Sequence, residues 1–413
     1  MFMNTLEDII NLIDEEGVEF IRLQFADIFG NLKNVAITPG QIERVAAGRF
    51  SFDGYMVFGE GAAETLYLKP DLDTFVILPW RPKHGKVGKL ICSVCTADGK
   101  PYELCSRGIL IKNLEAVKES GYDAYIDPEC EFFLFHTDEE GNATTKTHEE
   151  AGYMDVGPVD LGENARRDMV LTLEEMGFDI KASHHEKAPG QHEIDFRGDS
   201  GVKAADDVMT FKFAVRSVAK GFGLHATFMP SPIQDAPGSG MHLKLSLYKD
   251  GRNVFNTSEE TARYFAGGIL QHATEIASFT NPLVNSYKRL DKWKVSKKPK
   301  AERNLVVVCE ECGERSVEVR FPDPSANIYA AMALLLRAGL KGIEEKIELD
   351  AVKFHGLPGN LKDALLKAHD SAFVKEVLGE EFTDLYITDK LSEWDEYLNK
   401  VSDWELEKYL LKV

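Results

Sequence analysis

A short segment of this sequence combines the residue types that bind metal ions. Between Ala182 and Phe196 it contains three histidines and three carboxylates, arranged around an Ala-Pro-Gly turn. Ile194 and Phe196 indicate that the second half is a buried strand. Because an unpaired carboxylate in such a place costs several kcal/mol, the segment predicts a bound cation whose remaining ligands come from elsewhere in the chain.

Polar residues spaced two apart occur on three predicted strands, and this spacing puts both side chains on the same face. The pairs are Glu129 with Glu131, Glu193 with Asp195, and Glu318 with Arg320. His242 begins a further strand after the flexible Gly238-Ser-Gly240. A solvated strand face is the alternative for any single pair. Several such strands, each flanked by large apolar residues, favour one inward polar face, and oxygen ligands with a single imidazole suit Mg²⁺ or Mn²⁺.

Divalent ions inside enzymes commonly neutralise phosphate charge. The sequence contains no Gly-x-x-x-x-Gly-Lys-Ser/Thr phosphate loop, and Gly59-Glu-Gly61 does not extend into a dinucleotide-binding motif. We therefore expect metals and arginines to handle any phosphate. The candidate arginines are Arg289, Arg303 and Arg320.

Composition narrows the classes of function. With 413 residues, the chain can form two or three domains with substantial cores. A net charge of −20 disfavours a role in binding nucleic acid, which normally requires a basic face. No apolar run approaches the ~20 residues of a membrane span, and the first residues lack the features of a signal peptide. We expect a cytoplasmic protein that does not bind membranes.

The six cysteines do not form the pattern of a disulfide framework in a chain of this length. Cys92 and Cys95 lie in a predicted strand, where residues three apart face opposite sides, so we expect them to be structural. Cys309 and Cys312 flank a predicted turn before Gly313. An alternative interpretation is that these two cysteines form half of a zinc site, although no second pair with matching spacing is evident.

Hydrophobic periodicity predicts the elements that position these residues. Residues 1–100 are expected to form a compact first domain, with an opening helix capped at Thr5, a small sheet and an irregular Gly-rich stretch at 50–67. Residues 101–413 are expected to form a second domain of strands and helices. Its main predicted strands are Tyr125–Phe135, Ile180–Ser183, Glu193–Phe196, His242–Tyr248 and Val317–Phe321, and its main predicted helices are Ile109–Lys118, Ala165–Met176, Asp206–Lys220, Glu260–Ser278 and Ser325–Lys346.

Five segments of the chain occur in the order found in one enzyme family. They are Asp127-Pro-Glu-Cys-Glu-Phe-Phe-Leu-Phe135, Ser183-His-His-Glu-Lys-Ala-Pro-Gly-Gln-His-Glu193, Gly238-Ser-Gly-Met-His242, Asn281-Pro-Leu-Val-Asn-Ser-Tyr-Lys-Arg289 and Val317-Glu-Val-Arg-Phe-Pro-Asp323. With them, the chain resembles the glutamine synthetase family in its short bacterial and archaeal type. Phe52-Asp-Gly54 resembles the N-terminal Asp loop of that family, and Trp404-Glu-x-x-x-Tyr409 resembles its C-terminal end. The resemblance therefore covers nearly the whole chain.

The resemblance implies an α+β protein with a β-grasp N-terminal domain and a glutamine-synthetase-type catalytic domain, in which helices flank a half-barrel sheet. It implies a homo-oligomer, a dodecamer of two stacked hexameric rings, with each active site formed between one catalytic domain and the neighbouring subunit's N-terminal domain. The implied activity joins ammonia to the γ-carboxylate of glutamate through an acyl phosphate. ATP and glutamate are the implied substrates, and two or three Mg²⁺ or Mn²⁺ ions are implied per site.

The functional residues of the family carry over to matching positions of this sequence. One metal is implied at Glu131, Glu186 and Glu193, and another at Glu129, His242 and Glu318. For glutamate, the implied contacts are Arg289 and Arg320, with Gly238 at its amino group. For ATP, they are Ser246 and Arg303. For ammonium, they are Tyr153 and Glu186, together with Asp53 donated by a neighbouring subunit. The resemblance gives the catalytic roles to Asp53, Glu186 and Arg303.

The sequence keeps the implied metal ligands but departs from the family around the amine and the nucleotide. Leu290–Lys300 stands where the family has a flap with a catalytic Glu, and here the segment lacks that Glu and contains five lysines. Ala301–Val308 only faintly resembles the family's arginine segment. Further departures are Tyr55-Met56, Lys181, Pro237 and Lys244.

Three hypotheses for the function follow. The first is a glutamine synthetase or a close glutamate–amine ligase, which the complete set of implied metal ligands supports. The second is a γ-glutamyl ligase for another amine or carboxylate substrate, because a pocket with fewer carboxylates and more lysines attracts ammonium less. The third is a non-catalytic regulatory protein of the same fold, motivated by the missing flap Glu. If the lysines form a solvated loop, Asp53 and Glu186 still bind ammonium, and the departures agree with the first hypothesis.

Overall fold

The computed structural model describes residues 5–59, 61–81, 84–147, 149–294 and 304–413. Two β-sheets are each covered by helices, and the predicted α+β class is confirmed. The strands are β1 Val18–Ala26, β2 Leu32–Ile37, β3 Phe50–Asp53, β4 Thr65–Ile77, β5 Lys86–Cys95, β6 Asp123–His136, β7 Ile180–His185, β8 Gln191–Phe196, β9 Asp199–Ser200, β10 Leu224–Thr227, β11 Met241–Lys249, β12 Arg252–Asn253, β13 Val306–Glu311 and β14 Glu314–Val319.

The helices follow the apolar periodicity of the sequence. They are α1 Leu6–Glu16, α2 Ile42–Ala46, α3 Tyr55–Phe58, α4 Ser106–Glu119, α5 Glu163–Glu175, α6 Val202–Gly221, α7 Val254–Thr257, α8 Glu259–His272, α9 Ala277–Thr280, α10 Val284–Lys294, α11 Ile328–Glu345, α12 Leu361–His369, α13 Ala372–Leu378, α14 Glu380–Asn399 and α15 Asp403–Tyr409. The predicted helix Glu260–Ser278 is two helices, α8 and α9. Between them Glu275 directs its carboxylate to His272 and Ser371, which anchors the break in the helix.

The N-terminal sheet has the strand order β2-β1-β5-β4-β3, with β1 parallel to β5 and the other neighbours antiparallel. It has the β-grasp arrangement that the resemblance implies. Helix α1 is capped by Thr5, whose hydroxyl accepts from the Asp8 amide, while the Asp8 carboxylate accepts from the Thr5 amide. The stretch 50–67, expected to be irregular, contains β3, α3 and the start of β4. Long-range pairing of Phe50–Asp53 with residues 65–68 orders it.

The larger sheet has the path β13-β14-β11-β6-β8-β7. Its antiparallel register sets Glu129 directly opposite both His242 on β11 and Asp195 on β8, and it sets Glu131 opposite Glu193. Directly opposite residues of antiparallel strands point to the same face. The register therefore collects on one face the polar residues whose period-two spacing marked them in the sequence.

Helices α4, α6 and α8 pack against this sheet, and α11 packs on these three helices. The α8–α11 contact is close because Gly268 and Gly342 face each other, and a Cβ on Gly268 would lie 2.1 Å from the Ala338 carbonyl oxygen. None of the helices formed by the described residues is long and apolar enough to cross a membrane.

A buried ion-pair network joins the two sheets. Arg107 on α4 contacts Asp206 on α6 with 2.8 Å between Nη2 and Oδ2, and it reaches Asp71 on β4 at 2.6 Å. The Tyr329 hydroxyl donates to Asp206 at 2.7 Å. Arg107 is almost fully buried. The network fixes the N-terminal sheet on two of the helices that pack against the larger sheet.

Candidate active site

A cavity of about 780 Å³ opens above the polar face of the larger sheet. Strands β6, β7, β8, β11 and β14 form its floor, and the loop at 234–240 and Tyr153 form its walls. The lining residues are Glu129, Glu131, Tyr153, His184, Glu186, Lys187, Gln191, Glu193, Asp195, Gln234, Asp235, Ala236, Pro237, Gly238, Gly240, His242, Arg289, Glu318 and Arg320.

One group of possible metal ligands is formed by Glu129, His242 and Glu318, with one ligand atom of each within 4.8 Å of the others. His242 Nδ1 lies 3.2 Å from Glu318 Oε1 and 3.6 Å from Glu129 Oε2. Burial opposes the charge of His242, but hydrogen bonds with Glu129 and Glu318 raise its pKa to about 9. These are the three residues implied for one metal.

A second group consists of His184, Glu186 and Glu193, again within 4.8 Å. His184 Nε2 lies 3.5 Å from Glu193 Oε2, and His184 Nδ1 lies 3.9 Å from Glu186 Oε1. The sequence implied Glu131 in place of His184. Glu131 lines the same cavity, where its carboxylate accepts from Gln191 Nε2 at 2.7 Å and from the Gly240 amide at 3.0 Å.

The electrostatics of these carboxylates fit bound cations. Burial, followed by the charges of Glu131 and Asp195, raises the pKa of Glu193 to about 11. Burial and the charge of Glu129 raise the pKa of Asp195 to about 6. Like charges held this closely disfavour ionisation unless positive charge is added. The donor set of oxygens with few imidazoles suits Mg²⁺ or Mn²⁺.

Two lysines border the first group. Lys244 Nζ lies 2.5 Å from Glu129 Oε1 and 2.8 Å from Glu311 Oε2. Lys181 Nζ lies 3.8 Å from Asp127 and 3.8 Å from Glu311. Both were departures from the family in the sequence. They bring positive charge to the edge of a strongly acidic floor.

The two cavity arginines are held in different ways, Arg289 by backbone carbonyls and Arg320 by a carboxylate. Arg289 donates to the Phe321 carbonyl at 2.9 Å and to the Arg320 carbonyl at 3.2 Å. Burial lowers the pKa of Arg289. Arg320 contacts Glu318 at 2.6 Å. A Cβ on Gly240 would lie 2.6 Å from Arg289 Nη2, so a larger residue there would require the Arg289 side chain to shift.

On another side of the cavity, Tyr153 lies edge-on to His184, with 5.4 Å between ring centroids. Lys187 Nζ lies 5.2 Å from the centre of the Tyr153 ring. Glu186, which directly precedes Lys187 in the sequence, is buried and lines the same cavity. A lysine therefore borders the place where ammonium was expected to bind.

Not every predicted site residue lies in this cavity. Asp53 is on β3, the edge strand of the N-terminal sheet, next to the exposed Tyr55 and Met56. Ser246 is on β11, where its hydroxyl faces the Arg315 carbonyl oxygen at 3.5 Å. Neither is among the described residues that line the cavity. Arg303 and most of the expected flap, 295–303, lie outside the described residues.

A buried pair supports the segment that carries Glu186. His185 Nδ1 lies 2.6 Å from the Glu186 carbonyl oxygen, and His185 Nε2 lies 2.5 Å from Glu149 Oε1. Both neighbours are acceptors, so both ring nitrogens donate and the imidazole is charged. Although burial acts in the opposite direction on each, the pair raises the pKa of His185 and lowers that of Glu149 to about 2. The His185 carbonyl also accepts from Met154, next to Tyr153.

The sequence reasoning gave no individual role to His184, Gln191 or Lys187, and it placed Asp195 on the inward polar face without assigning it as a metal ligand. Asp195 and Lys187 stood in the motif segment, and Asp195 shares its strand face with Glu193, which was the available signal. The sequence could not single out His184 from the neighbouring histidines as a metal ligand, because only the pairing of β7 with β8 brings it to Glu193.

Two family models match the chain. One, described as "Glutamine synthetase, catalytic domain", matches residues 103–409, and the other, "Glutamine synthetase, beta-Grasp domain", matches residues 17–97. The chain is 47% identical to a glutamine synthetase of Clostridium saccharobutylicum, with 99% of both chains covered. It is 42% identical to one of Staphylococcus epidermidis, with 98% of both covered. A solved structure described as a GmaS/ADP complex superimposes with a TM-score of 0.88 at 27% identity, covering 98% of this chain and 99% of the other.

Proposed function

This chain belongs to the glutamine synthetase family, and from that premise we propose that it joins ammonia to the γ-carboxylate of glutamate with ATP as the phosphoryl donor. It is a glutamate–ammonia ligase-like enzyme. The observation that carries the proposal is the pair of ligand groups, centred on His242 and on Glu193, that share one cavity with Arg289 and Arg320.

We assign two or three Mg²⁺ or Mn²⁺ ions to this site. Glu129, His242 and Glu318 hold one, and Glu186 and Glu193 hold another, together with Glu131 or His184. When bound, such ions neutralise phosphate oxygens and so lower the barrier to phosphoryl transfer. The mutual repulsion of the buried carboxylates supports this assignment.

In the first step, a γ-carboxylate oxygen of glutamate attacks the terminal phosphorus of ATP. The bond from that phosphorus to ADP breaks, and an acyl phosphate forms. Arg320 interacts with the reacting carboxylate or phosphate end, Arg289 with the α-carboxylate, and the Gly238 carbonyl with the amino group of glutamate. The position of all three in the cavity lining supports these roles.

In the second step, ammonia attacks the carbonyl carbon of the acyl phosphate, and inorganic phosphate leaves. Ammonium must first lose a proton, for which a carboxylate near the cavity serves as base. We assign this role to Glu186 and to Asp53 of a neighbouring subunit, with Tyr153 as a wall of the pocket. The burial of Glu186 beside Tyr153 and His184 supports the assignment.

ATP is expected at the open side of the cavity, near β11. Ser246 and Arg303 are the residues proposed to contact it. ADP in the similar GmaS structure supports nucleotide use by this fold.

We propose that the protein is a homo-oligomer, a dodecamer in which Asp53 completes a neighbour's site. Asp53 does not line the cavity of its own subunit, which agrees with donation to another. Large apolar residues are exposed at the C-terminus, including Trp404, Leu410 and Leu411, and at Val156. Exposed large apolar side chains such as these agree with contacts to other subunits. A cytoplasmic location completes the proposal, since all six cysteines are free.

The experiment is an assay of the purified protein with ATP, Mg²⁺ or Mn²⁺, glutamate and ammonium, with ADP and glutamine measured by mass spectrometry. ADP release should require both glutamate and ammonium. Glu186→Gln should lower the rate by about 100-fold or more, whereas Glu150→Gln, an exposed carboxylate outside the cavity, should not. The absence of ADP release with any amine would contradict the ligase and favour the non-catalytic hypothesis.

Lys187 favours a second candidate, a γ-glutamyl ligase for another amine. The Lys187 ammonium group, 5.2 Å from the centre of the Tyr153 ring, repels a small cation but can pair with an amine that carries a carboxylate. Competition among amines in a single reaction decides between the two. Glutamine as the main product excludes this candidate, and a switch toward ammonia in Lys187→Val would support it.

A further inference from the structure

We propose that a second cavity, between the N-terminal sheet and helix α6, binds a small organic anion through Lys212 and Arg216. This cavity has a volume of about 770 Å³. It is lined by β1, the β1–β2 turn, α6, the end of β10, and part of α14. It lies on the helix-covered side of the catalytic sheet, and the proposal goes beyond the ligase activity.

Lys212 is the central observation. It is only 9% exposed, and its ammonium lies 5.9 Å from the centre of the Phe228 ring. No carboxylate of the described residues forms an ion pair with it. The charged groups that act on it are Arg216, which repels it, and Asp323, which hydrogen-bonds with Ser325. Burial lowers the pKa of Lys212 to about 8.

Arg216 adds a second cation to the same place. It lies one turn further along α6, and its guanidinium carbon is 5.0 Å from the centre of the Phe228 ring. Arg216 is partly open to solvent at the surface, although desolvation by the surrounding protein lowers its pKa. Two cations therefore share one aromatic ring. Their repulsion disfavours the empty cavity, and an anion between them would remove it.

A third cation lines the same cavity. Arg22 on β1 lines the cavity, and burial together with the charge of Arg81 lowers its pKa. The acids on the cavity wall do not neutralise this set. Glu393 is paired with Lys390 at 2.7 Å, and Asp389 is exposed. In a chain with a net charge of −20, this local excess of positive charge is unusual.

The remaining walls indicate the class of ligand. Phe29, Met209, Phe213, Met229 and Leu283 give the cavity apolar surfaces beside the cations. A cavity of this size with a charged end and apolar walls suits a small molecule rather than a bare ion. The ligand class is an organic phosphate or carboxylate whose head lies between Lys212 and Arg216.

Binding can be measured on the full-length oligomer in the absence of divalent metal, because removal of the metal weakens phosphate binding at the catalytic site. The probes are inorganic phosphate, AMP and citrate, which separate a bare anion, a phosphate with an organic body, and a carboxylate. Thermal unfolding and calorimetric titration are recorded for the parent, Lys212→Met, Arg216→Gln and Lys220→Gln. Lys220 is an exposed lysine on the same helix and serves as the matched control.

At least one organic probe should raise the melting temperature of the parent and of Lys220→Gln by several degrees. Lys212→Met should lose this response, and Arg216→Gln should bind the probe at least tenfold more weakly. Without probe, Lys212→Met should melt at the parent temperature or above it, because a buried unpaired charge has been removed.

Two results would overturn the proposal. One is an unchanged melting temperature of the parent with all three probes. The other is a Lys212→Met variant that melts at a lower temperature than the parent or dissociates into subunits. Either behaviour would mean that Lys212 pairs with a protein carboxylate in the assembly. If Lys212→Met does not fold, Arg216→Gln decides alone, and undiminished binding by that variant contradicts the proposed site.

Discussion

Lys244 and Glu129, on adjacent antiparallel strands, form an ion pair with 2.5 Å between Nζ and Oε1. Glu129 is also one of the three residues assembled around His242. The ammonium thus occupies one oxygen of a proposed metal ligand. It is also 2.8 Å from Glu311, which offers an alternative partner.

Replacing this lysine should strengthen metal binding when no nucleotide is present. In Lys244→Met, Glu129 loses a competing cation, and we expect the affinity for Mn²⁺ to rise by about tenfold, equivalent to ~1.4 kcal/mol. Titration of free Mn²⁺ by electron paramagnetic resonance measures it. Lys181→Met is the matched control, since the partners of Lys181 are not proposed ligands. Equal or weaker binding by Lys244→Met contradicts the competition.

Glu193 links metal binding to stability. Burial of its carboxyl, followed by the like charges around it, raises its pKa to about 11. Glu193→Gln should therefore leave the free energy of unfolding of the metal-free protein within about 1 kcal/mol of the parent. It should also lose most of the stabilisation by saturating Mn²⁺, which is roughly 3 kcal/mol at 100 times the dissociation constant. Denaturant unfolding with and without Mn²⁺ measures both, with the exposed Glu174→Gln as control. Full Mn²⁺ stabilisation in Glu193→Gln would show that this carboxylate is not a ligand.

The buried His185–Glu149 pair should act as a positioning unit for Glu186. We expect His185→Gln and Glu149→Gln each to weaken Mn²⁺ binding by about 10- to 100-fold, as observed when residues that orient metal ligands are changed. The double variant should be no weaker than either single one, because the two residues work through one contact. Exposed His369→Gln is the control. Additive losses would indicate separate roles.

The Arg107–Asp206 network should contribute strongly to stability. Asp206→Asn leaves the buried guanidinium undercompensated, and we expect a loss of about 3–5 kcal/mol in the free energy of unfolding. Asp179→Asn removes the partner of the exposed Arg197 and should cost less than about 1 kcal/mol. Equilibrium urea unfolding compares them. Similar losses would mean that the buried network does not hold the domains together.

Sharing of the active site between subunits can be tested by complementation. Asp53→Ala and Arg320→Ala should each be nearly inactive, since each lacks one part of the proposed site. When both chains are expressed in one cell, mixed oligomers contain sites assembled from the intact part of each, and activity should reappear. Mixed oligomers confirmed by mass spectrometry that remain inactive would place Asp53 and Arg320 in the same subunit's site or outside the chemistry.

Much of the fold could be predicted from local sequence. The capping box at Thr5 and the apolar periodicity of α4, α5, α6 and α11 are encoded within one or two turns, so their positions agree with the predictions to within a few residues. The stretch at 50–67 could not be predicted in this way. Its order arises from the pairing of β3 with β4, and such pairing depends on residues distant in sequence.

The sequence by itself determined which residues could bind cations, because a period of two puts Glu129 with Glu131, and Glu193 with Asp195, on one side of a strand. Only the tertiary structure decided how these pairs combine. The register of β6 with β8 and β11 sets Glu129 opposite His242 and Glu131 opposite Glu193, and the pairing of β7 with β8 brings His184 to Glu193. The physical reason is that strand spacing fixes the face of a side chain, whereas its neighbours on that face are fixed by register, which the whole sheet determines.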